Sequence, residues 1–107
     1  MARSVNWSEP ALDDVTAAAE YIARDFHHYA ALLEDRATVA ARSLAAFPER
    51  GRVVPELEDP AVREIFVHAY RLIYEIHPDR IDILAFVHAA RDLAGLWQRG
   101  PDSNEND

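Results

Sequence analysis

The sequence predicts an α+β domain: an N-terminal strand, an antiparallel helical hairpin packed on an antiparallel sheet, and a short C-terminal helix. Its first half carries two apolar patterns with helical spacing, separated by only a few residues. Its second half carries three consecutive segments that are rich in β-branched and aromatic residues. The 107 residues are 50% hydrophobic, which is enough for one domain with a single core.

A short strand at residues 3–7 leads directly into the first helix, predicted over residues 10–25. Ser8 is a favourable N-cap, and the proline that follows lies in the first turn, where it costs no hydrogen bond. Trp7 and Leu12 stand where a hydrophobic staple would place them. The larger apolar residues of this helix form one stripe, Leu12, Val15, Ile22 and Phe26.

Residues 27–29 interrupt the pattern, and a second helix is predicted over residues 30–47. Its apolar residues alternate at spacings of four and three, Leu33, Ala37, Ala40, Leu44 and Phe47. This spacing is typical of a helix that packs on a partner helix, so the short connection indicates an antiparallel hairpin. Pro48 ends the helix, and an extended polar segment follows over residues 53–60.

The period then changes from helical spacing to alternation, which predicts three strands, Arg63–Val67, Tyr70–Ile76 and Ile81–Val87. The loop at residues 77–80 joins the last two as a hairpin, so we expect an antiparallel meander. Residues 88–99 are predicted to form the final helix, which ends before Gly100-Pro101. We therefore expect one domain over residues 1–100 and a disordered acidic tail over residues 101–107.

The composition excludes several kinds of chemistry. There is no cysteine, which excludes disulfides, thiolate nucleophiles and cysteine-based zinc sites. All 11 basic residues are arginine and the net charge is -8, so the chain alone is not expected to bind nucleic acid. The sequence shows no signal peptide or membrane span, which predicts a cytoplasmic protein without membrane contacts.

Six motifs follow one another in order along most of the chain. They are V-x-W-S-x-x-A-x-x-D-V at 5–15, A-E-Y-I-A at 19–23, F-P-x-x-G-R-x-V-P-E-L at 47–57, R-E at 63–64, Y-R-L-I-Y-E-I at 70–76 and V-H-x-A-R-D-L at 87–93. With these motifs the chain resembles the ParE branch of the ParE/RelE superfamily, the toxin halves of type II toxin-antitoxin pairs. The fold of that family agrees with the order of elements predicted above.

The resemblance implies two possible activities, because ParE toxins inhibit DNA gyrase whereas RelE-type toxins cleave mRNA on the ribosome. RNA cleavage needs a general acid and base beside cations on the phosphate. RelE-type toxins use lysine, arginine and glutamate with a tyrosine near the C-terminus. Here lysine is absent, the last tyrosine is Tyr74, and His88 is followed by alanine. The residues left for a nuclease are His88, Arg63, Arg71 and Arg91.

The sequence therefore favours a toxin that binds gyrase and is not an enzyme. The alternatives are a ribosome-dependent nuclease, or a non-toxic relative that serves only as antitoxin partner or corepressor. The resemblance implies a cognate antitoxin, ParD-like or other, that is encoded nearby and forms a hetero-oligomer with the toxin. Candidate residues for binding the target or the antitoxin are Arg63, Arg71, His88, Arg91, Leu93, Leu96 and Trp97.

Each polar candidate also has a structural interpretation. His88 can cap the backbone that follows it, and Arg91 can pair with a neighbouring carboxylate. Arg63 and Arg71 can form cross-strand ion pairs with the adjacent Glu64 and Glu75. We expect no cofactor and no metal site, because the five histidines lack the helical spacing of zinc ligands.

Overall fold

The structure, a computed structural model, describes residues 2–91 and residue 93. The predicted α+β fold is confirmed, with two helices and a five-stranded sheet. The elements in chain order are β1 Ser4–Trp7, α1 Glu9–Ala23, α2 His27–Ser43, a 3-10 turn Pro48–Arg50, β2 Arg52–Val53, β3 Val62–Val67, β4 Tyr70–Ile76 and β5 Arg80–His88. Within the described residues, no helix has the length and apolar character needed to cross a membrane.

The strand order across the sheet is β1-β5-β4-β3-β2. Strands β3, β4 and β5 form the predicted antiparallel meander, and β2 adds a short antiparallel edge. Strand β1 pairs in parallel with β5, with Ser4 opposite Arg80 and Trp7 opposite Ile83. The helical hairpin thus connects β1 to the meander and lies over one face of the sheet.

Side-chain alternation gives the sheet two different faces. The helix face packs against α1 and α2, and most of the core lies between them. This core includes Leu33 and Leu44 from the hairpin and Leu72, Tyr74, Ile81 and Ile83 from the sheet. The opposite face, called here the outer face, carries a smaller cluster of Val54, Val62, Ile73, Ala85, Val87 and Leu93. The loop before β3 and the residue Leu93 therefore cover part of the outer face.

Polar contacts fix the first helix to the sheet. The Ser8 hydroxyl accepts a hydrogen bond from the Ala11 backbone N–H at 3.2 Å, which confirms the predicted N-cap. An Asp14 carboxylate oxygen accepts from the Phe86 backbone N–H at 3.0 Å, beside the point where the pairing of β4 and β5 shifts register. Trp7 packs against the core of the helix face, while Leu12 is half exposed.

Three predicted helix boundaries were wrong. The final helix does not begin at residue 88 as predicted, because β5 extends to His88 and residues 89–91 form a turn. Helix α2 begins at His27, so residues 27–29 belong to the helix, and the turn is confined to residues 24–26. No glycine or proline interrupts residues 27–29, and neither histidine nor tyrosine prevents a helix from starting there. The helix also ends at Ser43, before the proline that the sequence took as its end. As a result Phe26 and Phe47, which the sequence placed on buried stripes, are 60% and 67% exposed.

Candidate functional site

The outer face contains a buried network of ion pairs centred on Arg71. The Arg71 Nε donates to Glu64 Oε1 at 2.5 Å, and its two terminal nitrogens donate to both oxygens of Glu56 at 3.0 and 2.8 Å. Arg52 Nε donates to the other Glu64 oxygen at 2.6 Å. The side chains of Arg71 and Glu64 are 5% and 0% exposed, so this is a charged cluster inside the protein.

The strand register explains how the network forms. Glu64 on β3 lies opposite Ile73, and Arg71 on β4 lies opposite Val87, so both side chains point to the outer face. Glu56 reaches Arg71 from the loop between β2 and β3. The hydrogen bonds from Arg71 lower the pKa of the Glu56 carboxyl, and those to Glu56 and Glu64 raise the pKa of Arg71.

The network gives Arg71 a structural role. Its planar guanidinium could hold a phosphate or a carboxylate in a bidentate manner. In this fold Glu56 occupies that position, and Glu64 takes the remaining Nε–H. The predicted cross-strand ion pair of Arg71 with Glu64 is thereby confirmed.

Arg63 lies on the other face of the sheet. It is opposite Tyr74, whose side chain belongs to the helix face. Its guanidinium donates to the backbone carbonyls of Gly51 and Pro60 at 3.0 and 3.1 Å, instead of pairing with Glu64 or Glu75. Arg63 therefore fixes the segment around β2 against β3.

His88 also lies on the helix face, opposite Tyr70, with ring centroids 5.5 Å apart. Its Nδ1 accepts a hydrogen bond from the Ala90 backbone N–H at 3.1 Å, which confirms its predicted role in capping the backbone. Arg91 is exposed in the turn that follows. Leu93 is fully buried against the outer-face cluster. Leu96 and Trp97, like most of the predicted C-terminal helix and all of the acidic tail, lie outside the described residues.

The candidate nuclease residues are therefore not brought together. Arg71 is on the outer face, whereas Arg63 and His88 are on the helix face. Their partners on β4 are Tyr74 and Tyr70, which lie four residues apart along the strand. His88 thus faces away from the Arg71 guanidinium. A general acid and a phosphate-binding cation must contact the same phosphate group, so this arrangement does not form a nuclease centre from these three residues.

The sequence did not indicate an apolar groove at the end of the helical hairpin. The groove has a volume of about 460 Å³ and is lined by Ile22, Phe26, Tyr29, Leu32, Leu33, Arg36 and His68. Phe26 and Tyr29 are more than half exposed, and their rings make an edge contact at 6.0 Å. Helical spacing predicts that Ile22, Phe26 and Leu33 are buried, and only the position of the turn shows that Phe26 remains exposed.

Comparison with known proteins relates the whole described fold to one family. The sequence pattern of the ParE toxin of the type II toxin-antitoxin system parDE matches residues 5–93. The chain is 36% identical over 88 residues to Toxin RelE2 of Caulobacter vibrioides, which covers 81% of this chain and 96% of that protein. The solved chromosomal ParDE system from P. aeruginosa has a similar fold, with a TM-score of 0.68 and 18% identity over 80% of this chain and 95% of that one.

Proposed function

Because this chain belongs to the ParE family of toxins of type II toxin-antitoxin systems, we propose that it acts by binding DNA gyrase. Family membership and the ParDE structural neighbour support an antitoxin as its partner. The gyrase target follows from the resemblance to the ParE branch, whereas the distribution of side chains bears on the choice between binding and catalysis.

The position of His88 carries the argument against a nuclease. His88 is the one candidate acid or base near the C-terminus, and it lies on the helix face with its Nδ1 bonded to the backbone. Arg71, the best phosphate clamp by geometry, lies on the opposite face and is held by Glu56 and Glu64. Arg91 is exposed and free of that network, so it is the candidate for contact with the target.

The groove at the end of the hairpin is the surface that we assign to the antitoxin. Among the described residues, its lining contains Arg36 and His68 and no carboxylate, in a chain whose net charge is -8. An amphipathic antitoxin segment with acidic side chains would complement both the apolar lining and the basic rim. The exposed aromatic rings of Phe26 and Tyr29 supply the kind of anchor that dominates binding energy.

The proposal is tested with purified protein, gyrase, ATP and supercoiled plasmid, quenched with detergent and protease. A translation reaction containing the same protein is probed in parallel for cut mRNA. We expect linear plasmid and intact mRNA. Arg91→Ala should reduce the linear product, while Arg42→Ala, an exposed arginine near the end of α2, should leave it unchanged.

The other outcomes contradict the proposal in different ways. Cut mRNA with untouched plasmid would identify a nuclease, and His88→Ala would then show whether that histidine takes part. Inactivity in both reactions would instead favour the non-toxic partner or corepressor.

A further inference from the structure

We propose that Glu75, His77 and Asp82 form a binding site for one divalent transition-metal ion, for which Zn²⁺ is the best match. These residues lie at the turn between β4 and β5, away from the Arg71 network and from the apolar groove. The proposal does not depend on which target the toxin has. It follows from how the hairpin brings three metal-ligating side chains together.

The backbone places these side chains on the same side of the sheet. Glu75 and Asp82 are direct partners in the pairing of β4 with β5, and His77 follows Glu75 by two residues. The His77 backbone N–H donates to the Arg80 carbonyl at 2.9 Å, which closes the turn. Arg3 from the start of the chain donates to the His77 carbonyl at 2.7 Å. Both backbone polar groups of His77 are therefore held in place, the N–H by the Arg80 carbonyl and the carbonyl by the Arg3 side chain.

The ligand atoms lie close to the separation that a metal ion requires. The His77 Nε2 is 3.2 Å from Glu75 Oε1 and 3.2 Å from Asp82 Oδ2. The three ligand atoms all lie within 4.8 Å of one another. Bonds of about 2.0–2.2 Å to zinc put neighbouring ligand atoms of a tetrahedron about 3.3–3.6 Å apart. Small rotations of the carboxylates would therefore complete three positions, and water can reach the fourth.

The local charges also favour a cation. One Nε2–H of His77 can point at only one of the two carboxylate oxygens that flank it. Asp79 adds a third carboxylate nearby, against the guanidinium groups of Arg80 and of Arg3, which is bonded to the His77 carbonyl. Arg80 Nε donates to both oxygens of Asp82, at 3.1 Å to Oδ1 and 3.3 Å to Oδ2, so it can keep the contact with Oδ1 while Oδ2 binds the metal. Hydrogen bonds of this type orient the ligands of metal sites.

The donor set indicates which metal would bind. Imidazole with two carboxylates suits zinc and related transition metals, whereas magnesium and calcium prefer oxygen ligands alone.

The sequence predicted no metal site because that expectation considered helical spacings. Here the spacing is Glu75-x-His77-x4-Asp82, which converges only when the chain turns back as a hairpin.

The test is isothermal titration calorimetry, in which zinc chloride is added to the full chain near neutral pH. We expect one saturable site, with affinity reduced roughly 10-fold or more in His77→Gln and in Asp82→Asn. His27→Gln, which changes an exposed histidine at the start of α2, serves as the matched control and should bind as the unmodified chain does.

Thermal unfolding gives a second measurement that does not require activity. Zinc should raise the melting temperature of the unmodified chain and of His27→Gln, and should raise it less in His77→Gln. Circular dichroism of the metal-free variants confirms that they fold. Binding that His77→Gln and Asp82→Asn leave unchanged would overturn the proposal, as would the absence of saturable binding.

Discussion

Replacement of Arg71 by methionine should destabilise the protein strongly, because this side chain compensates a buried carboxylate. The change removes the hydrogen bond to Glu64 and the two hydrogen bonds to Glu56. The Glu64 side chain is completely buried and would keep only Arg52, whose side chain is 58% exposed. A buried charge would thus lose its main partner.

The expected magnitude follows from the burial of each partner. Removal of one member of a buried ion pair costs about 3–5 kcal/mol. Loss of the hydrogen bonds between Arg71 and Glu56 adds little to this cost. The Glu56 side chain is about one-third exposed, so its carboxylate can be solvated by water instead. Since a domain of this type is stable by about 5–15 kcal/mol, Arg71→Met would lose a large part of its stability.

Urea unfolding followed by far-UV circular dichroism measures the free energy of unfolding of each variant. The matched variant is Glu64→Leu combined with Arg71→Met, which removes both buried charges and should recover most of the loss. The reasoning is refuted if Arg71→Met costs less than about 1 kcal/mol, or if the double variant is less stable than Arg71→Met alone.

Two further predictions concern Glu56 and the apolar groove. The folded-state pKa of Glu56 lies below its ordinary value of 4.5, mainly because of its hydrogen bonds with Arg71. The ionised Glu56 carboxylate therefore stabilises the folded protein above about pH 4.5. This stabilisation is lost as the pH falls through the lower pKa that Glu56 has in the folded state. Urea unfolding at several pH values should therefore show that the difference in free energy of unfolding between wild type and Glu56→Gln becomes smaller in acid. A difference that becomes larger in acid would contradict this prediction. Leu32→Glu should weaken co-purification with a cognate antitoxin, because it puts a charge into the apolar lining. Val39→Glu, at an exposed position of the same helix outside the groove, should have no effect, and equal effects of the two would remove the groove as the docking surface.

The sequence was sufficient for the first strand, the two helices, the three strands of the meander and the family. The Ser8 cap, the helical spacing that continues through Leu33 and Leu44, and the alternation from Tyr70 to Ile76 are local signals. Such signals depend on residues close together along the chain, and therefore they can be recognised without knowing the fold. The position of β1 could not be predicted, because its parallel pairing with β5 joins residues that are far apart in sequence.

For the candidate site, the sequence supplied residue types, but the fold decided what each residue does. Arg63, Arg71 and His88 were equivalent candidates until the strand register placed Arg71 on one face and the other two on the opposite face.

Partners from distant segments then assigned the roles. Glu56 binds Arg71 from the loop before β3, and Asp82 meets His77 across the hairpin. The exposure of Phe26 likewise depends on where the helical turn falls against the sheet. Composition and periodicity thus determined which side chains are available, while long-range pairing decided which of them meet, because ion pairs and ligand sets form only between groups within a few ångströms.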